Sequence, residues 1–402
     1  MATLADVPQT ATRARQAIAG RIPIMTIFGT RPEAVKMAPV VQALRDSVDF
    51  TPIVVVSGQH REMLDQVTRL FGVVPDRDLN IMLPEQSLVD IMTRALGGLS
   101  TAVAELRPAM VLVQGDALTT FIGALAAYFQ QIPIGHVEAG LRTSDKYHPF
   151  PEELNRRMTS ALADLHFAPT AQAKRNLLRE GVAEEAIVVT GNTVIDALQI
   201  VRALPDIEPL RELPPLVGRR MLLVTTHRRE NWGDPFRDIY RALVDLLERF
   251  PDVEVVFSVH RNPAVRRVVW EVLGEHARAH LIEPPAYGPF VRLMEQATVI
   301  LTDSGGIQEE ATALGRPVLV LRTTTERPEG LDAGTCKLVG TDRARIVEET
   351  SLLLTDPVAY RRMAQARNPF GDGHAAERIV QMLRYYYGKS RTRPSEFDWR
   401  VP

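Results

Sequence analysis

Short β-rich apolar runs alternate with longer amphipathic stretches along nearly the whole chain, and the alternation occurs twice. In the first half the runs fall at 22–28, 51–56, 110–114, 132–137 and 186–190, with helical periodicity between them, as over 33–45 and 118–130. In the second half they fall at 220–226, 253–259, 298–302 and 317–321. Strands separated each time by a helix pair in parallel, so the pattern predicts an α/β protein with doubly wound sheets. Between the halves, Pro205, Pro209, Pro214 and Pro215 break any helix and mark a linker. The reading is two domains, 22–195 and 196–374, a last helix at 375–388 that packs back on the first domain, and tails at 1–21 and 389–402.

The length of 402 residues suits two cores, since single cores rarely grow past about 300 residues. With 45% hydrophobic residues and a net charge of −2, the composition excludes intrinsic disorder. The same near-neutral balance leaves no electrostatic footprint for nucleic acid. No stretch approaches 18 apolar residues, so no membrane span is expected. The single cysteine, Cys336, excludes an internal disulfide and a Cys-based zinc cluster and reads as a small buried residue. A reducing cytoplasm fits these features.

Polar residues gather where the apolar runs end. Gly29-Thr30-Arg31, Gly58-Gln59-His60, Gly115-Asp116 and Glu138-Ala139-Gly140 follow runs of the first half. His227-Arg228-Arg229-Glu230, His260, Asp303-Ser304-Gly305-Gly306 and the stretch 322–329 follow runs of the second. Parallel sheets take ligands beyond the carboxyl ends of their strands. Each domain therefore carries one functional rim, and a ligand lies between the domains if the rims face each other.

The chemistry of these rims is anionic and acid–base. Asp303–Gly306 opens a helix at 307–314, where small residues and the helix dipole suit a phosphate, and a carboxylate at Glu309 or Glu310 suits ribose hydroxyls. Gly29–Glu33 is a second strand-to-helix candidate, with Pro32 at the first helical position and Arg31 and Lys36 toward the rim. Asp116 and Glu138 are separated by one helix and one strand, which puts both carboxylates on one sheet edge. Glu152 and Glu153 begin the next helix. Paired carboxylates in unlike environments support proton transfer. His227 beside two arginines suits a phosphate or a proton shuttle. Plainer readings stay open: a helix cap for Ser304 or Asp116, and dipole-complementing charge for Glu152, Glu153, Glu309 and Glu310. There is no HExxH motif or histidine cluster, no Walker loop, no GxGxxG and no G-x-S-x-G. A metal, a nicotinamide cofactor and a serine hydrolase are therefore not indicated.

Taken together and in order, the stretches 27–39, 59–66, 136–143, 151–156, 191–196, 227–231, 302–310, 325–329 and 368–373 resemble the motifs of the bacterial non-hydrolysing UDP-N-acetylglucosamine 2-epimerases. The resemblance runs from about residue 22 to 385. It implies two Rossmann-like domains of the glycosyltransferase-B type with the active site in the interdomain cleft. It also implies reversible conversion of UDP-GlcNAc to UDP-ManNAc without a cofactor, by anti elimination of UDP to 2-acetamidoglucal and re-addition. Asp116, Glu138, Glu152 and His227 match the family's catalytic positions, with Asp116 or Glu138 expected to remove the C2 proton. Arg31, Lys36, Ser304, Gly305 and Gly306 match phosphate contacts, Glu310 a ribose contact and Phe290 a uracil contact, and Arg156 belongs to the substrate set. Gln59, His60 and His260 match a region that takes a second, activating UDP-GlcNAc. Family members are typically homodimers. Two departures stand out: Ala117 and Leu118 come before Thr119-Thr120 where threonines are usual, and Thr226 precedes His227 where glycine is common. The alternatives are a hydrolysing epimerase that releases ManNAc and UDP, and a glycosyltransferase of the same fold.

Overall fold

The first apolar run forms β1 (Ile22–Phe28), buried along almost its whole length. It lies at the centre of a sheet that continues through β2 (Phe50–Val56) and β3 (Arg77–Asp78) on one side. On the other side follow β4 (Met110–Gln114), β5 (Ile134–Val137), β6 (Leu165–Ala168) and β7 (Ile187–Val189). The structure, a computed structural model, describes residues 20–401 apart from 59–60, 83–85, 144, 148, 209, 211–212 and 215, and apart from the side chains of 61–63. Among these residues the sheet has seven strands, all parallel, in the order β3-β2-β1-β4-β5-β6-β7. Helices cover both faces, which is why the strands read as near-continuous apolar runs.

A second sheet is built the same way. Its strands are β8 (Arg220–Thr225), β9 (Val253–Ser258), β10 (Ala279–Ile282), β11 (Val299–Thr302), β12 (Val318–Val320) and β13 (Cys336–Leu338). They run parallel in the order β10-β9-β8-β11-β12-β13. The chain thus forms two compact units, one of described residues up to Ala197 together with 371–398, the other of 198–370 together with 399–401. The helix Ala375–Tyr386 belongs to the first unit. The Asp196 carboxylate accepts the Ala375 and Ala376 amides at its start, at 3.2 and 2.8 Å, and Tyr387 Oη donates to the Ala109 carbonyl at its end. No helix of the described residues is long and apolar enough to cross a membrane.

Both sheets place their functional loops by the same rule. In the first unit the strand order reverses between β1 and β4; in the second it reverses between β8 and β11. At such a switch point the loops after the two strands diverge to opposite faces and leave a crevice at the carboxyl edge. The loops concerned are Gly29–Thr30 and Gly115–Asp116 in the first unit, and Thr226–His227 and Asp303–Ser304 in the second. The local sequence supports this. Thr30 caps the helix Arg31–Asp46 in a capping box with Glu33, and Pro32 is in that helix's first turn, one place after the first position expected. The helix after β11 spans Gly305–Ala313, beginning two residues earlier than its apolar pattern suggests.

Candidate active site

Gly115 adopts φ +72°, a left-handed turn that lifts Asp116 above the end of β4. Three groups hold that turn. His136 Nε2 lies 2.8 Å from the Gly115 carbonyl, Asn155 Nδ2 donates to the Asp116 carbonyl at 2.9 Å, and Arg156 Nη2 donates to Asp116 Oδ2 at 2.6 Å. The His136 ring is fully buried, and burial pushes it down to about 3, so the ring is neutral, and because a carbonyl only accepts, Nε2 carries the hydrogen in this contact. Asp116 is therefore not the helix cap weighed from the sequence: Ala117 occupies that position, and the carboxylate goes to Arg156.

Glu138, just past β5, is buried and has φ +62°, a conformation uncommon for a side-chain-bearing residue. Lys36 Nζ donates to both of its carboxylate oxygens at 2.7 Å, Asn192 Nδ2 donates at 3.2 Å, and Gln114 Nε2 donates as well. A Cβ added at Gly115 would sit 3.6 Å from Glu138 Oε2, so the two expected carboxylates share one corner of the sheet edge. Glu152 is the first residue of the helix Glu152–Leu162 and is half-buried. Its neighbour Glu153 is fully buried and structural: it accepts the Thr143 amide at 3.0 Å and Arg157 Nε at 2.9 Å.

The expected phosphate loop at Gly29–Glu33 differs in how it works. The Gly29 and Thr30 amides both donate to Glu33 Oε2, at 3.1 and 2.8 Å. Burial raises the Glu33 carboxyl against these hydrogen bonds. Those amides are already used internally, so an anion at this edge depends on side chains such as that of Arg31. Lys36, read from the sequence as a phosphate contact, lies on Glu138.

In the second unit Asp303 is fully buried at the end of β11. It accepts the His227 amide at 3.0 and 3.1 Å and the Arg228 amide at 2.9 Å, and its Oδ1 lies 3.0 Å from His227 Nδ1. The His260 ring stacks beside His227 at 5.8 Å between centroids. Thr226 places its hydroxyl 2.8 Å from the buried Tyr240 phenol.

Ser304 is the N-cap of the helix Gly305–Ala313 but makes no side-chain cap bond, so the plain capping reading does not account for it. Gly305 leaves room for the Arg327 guanidinium, whose Cζ is 2.7 Å from where a Cβ would stand. Glu310 accepts Tyr287 Oη at 2.7 Å, and its Oε2 lies 3.9 Å from a Cβ built on Gly306. Phe290 is half-buried on the helix Tyr287–Gln296 that carries Tyr287. Arg228, Arg322 and Arg327 converge on the Glu326 carboxylate at 3.2, 2.6 and 3.1 Å. Burial raises Glu326, but Arg327, Arg322 and Arg228 outweigh it and hold the carboxyl at about 2.

Of the expected activator residues, Gln59 and His60 lie outside the described residues, and His260 lies against His227. Among the described residues no group of three or more His, Cys, Asp or Glu is arranged to hold a metal. The residues missed from sequence are those that hold others: Gln114, Asn155, Asn192, Asp303, Glu326 and Arg327. All but Gln114 fall inside the family-like motifs. Only the motif's presence, not the partner, was visible there.

Two parallel sheets, each with a charged loop pair at its switch point, define a fold of the glycosyltransferase-B type. The glycosyltransferase SnogD from Streptomyces nogalater shares that fold at a TM-score of 0.54 and 18% identity, over 90% of this chain and 99% of its own. The family is narrower. The profile described as UDP-N-acetylglucosamine 2-epimerase matches residues 42–384. The UDP-N-acetylglucosamine 2-epimerase of Escherichia coli (strain K12) is 54% identical over 368 residues, covering 90% of this chain and 98% of that one. A crystal structure of UDP-GlcNAc 2-epimerase from Neisseria meningitidis bound to UDP-GlcNAc is 46% identical with a TM-score of 0.83, over 90% of this chain and 99% of that one. This chain belongs to the UDP-N-acetylglucosamine 2-epimerase family.

Proposed function

We propose that the chain interconverts UDP-GlcNAc and UDP-ManNAc by the non-hydrolysing route. The observation that carries this reading is the division of labour between the two switch points. The rim of the first sheet carries Asp116 and Glu138, with Glu152 opening the helix that follows β5; the rim of the second carries His227, the Ser304–Gly306 helix start and clustered arginines. Carboxylates suit a sugar that gains positive charge, and cations and a helix N-terminus suit a departing diphosphate.

In the forward direction Asp116 or Glu138 takes the C2 proton. The C2–H electron pair becomes the C1–C2 double bond, and the C1–O pair leaves with UDP. The C2 hydrogen is not adjacent to a carbonyl and is weakly acidic, so C1–O cleavage runs ahead and the sugar acquires oxocarbenium character. Arg31, His227 and the Ser304, Gly305 and Gly306 backbone stabilise the leaving diphosphate, Glu310 holds the ribose and Phe290 lies by the uracil. Re-addition of UDP with protonation on the opposite face of C2 gives the epimer, so two carboxylates serve the two faces and a third stabilises the cation. No redox change occurs, and no electron carrier is required.

In this reading Lys36 and Arg156 serve the sugar side by holding Glu138 and Asp116. Gln59, His60 and His260 meet a second UDP-GlcNAc that activates the enzyme. In this reading the chain works as a homodimer in the reducing cytoplasm.

A proton NMR time course in D2O on UDP-GlcNAc alone tests the proposal. Epimer carrying deuterium at C2, with UDP at most transient, is expected. Free ManNAc and UDP accumulating together point to the hydrolysing reaction, and no turnover without a sugar acceptor points to a glycosyltransferase; either result overturns it.

A further inference from the structure

Asp303 is the most completely enclosed carboxylate at the second switch point. It is fully buried, yet every bond it makes is aimed at one short segment: the His227 and Arg228 amides, and the Nδ1 edge of the His227 ring at 3.0 Å. Asn231 Nδ2 completes the set at 3.4 Å. A carboxylate only accepts hydrogen bonds, so the hydrogen in the Asp303–His227 contact belongs to Nδ1. The His227 side chain is 37% exposed, so the ring stands partly open on the rim with its back fixed.

From this geometry we infer that Asp303 is a positioning residue for His227. It locks the neutral ring as the Nδ1–H tautomer, leaves Nε2 as the working nitrogen, and supplies the counter-charge when Nε2 takes a proton. The inference rests on the proposed role of His227 in the epimerase reaction. A carboxylate behind a histidine does two things: it fixes which nitrogen works, and it favours the imidazolium that forms during proton transfer. Burial alone would raise the Asp303 carboxyl; the His227 contact and the two amides overcome it, and the group stays below the ordinary carboxylate range. The other titratable groups around the ring are His260, stacked beside it, and the Tyr240 phenol near Asp303. Burial and the neighbouring His227 charge both lower His260. The balance is simple. A proton taken from, or given to, the leaving diphosphate resides on Nε2, while the Nδ1 proton stays hydrogen-bonded to Asp303.

The test has a substrate-free arm and a kinetic arm. In the full-length chain labelled with 15N-histidine, the His227 signals are identified by their loss in His227→Gln. In the neutral ring the expected pattern is a protonated Nδ1 and a bare Nε2. A ring protonated at Nε2 overturns the inference, whatever the enzyme does with UDP-GlcNAc. In the kinetic arm, Asp303→Asn is expected to lower kcat on the order of 10²-fold with KM changed less than about threefold. Combined with His227→Gln it adds little, because the two act as one unit. Losses that multiply overturn the inference. The wild-type tautomer decides if Asp303→Asn does not fold, and absent epimerase activity with the expected tautomer counts against the reaction rather than the pairing.

Discussion

The guanidinium of Arg156 donates to the Asp116 carboxylate at 2.6 Å, from the second turn of the helix that begins at Glu152. Arg156 is buried, whereas the Asp116 side chain is 35% exposed. The pair joins two motifs that the sequence presents separately, and through it Arg156, expected from the sequence in the substrate set, holds the Asp116 carboxylate. Arg156→Ala is expected to lower kcat at least tenfold with a smaller change in KM. It should also cost about 1–3 kcal/mol of stability, since one partner is buried. Arg156→Lys should not restore kcat, because an ammonium lacks the planar fork. Steady-state kinetics with urea unfolding measure this, and a change confined to KM would contradict it.

Two left-handed glycines separate function from folding. At Gly115 an added Cβ meets only ordinary contact, 3.6 Å from Glu138 Oε2, so Gly115→Ala costs about 1–2 kcal/mol of backbone strain and mainly misaims Asp116. At Gly140, φ +90°, a Cβ lies 2.9 Å from both the Ala173 carbonyl carbon and Leu177 Cγ. Gly140→Ala should therefore fail to give soluble protein, while Gly115→Ala folds with reduced kcat. Expression yield and circular dichroism on both variants compare the two outcomes.

Buried histidines make the first unit acid-sensitive. His136 and His166 are register partners on β5 and β6. Burial lowers them to about 3 and about 4, against an ordinary value near 6.5. Their folded pKa values are depressed, so the unfolded chain binds more protons below pH 6.5. Their contribution is complete above that pH and is lost as pH falls toward 4 and then 3. His166→Gln should remove about 1.4 kcal/mol per pH unit from the slope of unfolding free energy between pH 6 and 4. An unchanged slope would mean that the ring is not held neutral.

Much of this architecture was readable before any coordinates. The runs at 22–28 and 110–114 appear with the same bounds, and the helix expected over 118–130 spans Leu118–Phe129. The strands that escaped detection are mostly edges: β3 is two charged residues, β13 is Cys-Lys-Leu, and β10 carries His280. Edge strands are short and polar because they must not pair further, which removes the apolar signal used to find them. β6 is an inner strand hidden by His166. At the rims, strand-to-helix loops expose Asp116, Glu138, His227 and Ser304 by position alone. Which donor meets which acceptor was not readable. Lys36 on Glu138, Asp303 behind His227, and the Gly29 and Thr30 amides turned inward to Glu33 each depend on register and rotamer across distant segments.

Glu326 gives the sharpest test of the second rim. Three guanidiniums surround its half-buried carboxylate, and Arg322 and Arg327 are further tied to Glu230 and Glu309 at 2.8 and 2.7 Å. Without that central charge the arginines repel one another and lose the arrangement that, in the proposed reading, meets the diphosphate. Glu326→Gln is expected to weaken UDP binding at least tenfold, read by calorimetry, although it makes the rim more positive; tighter binding would show that the arginines attract phosphate by charge alone. The pH arm has a definite sign. The folded pKa, about 2, lies below the ordinary value of 4.5, so the stabilisation is complete above about pH 4.5 and is lost as pH falls through 2. Glu326→Gln should therefore flatten the loss of stability between pH 4.5 and 3, a window in which the wild-type rim still holds its ion pairs.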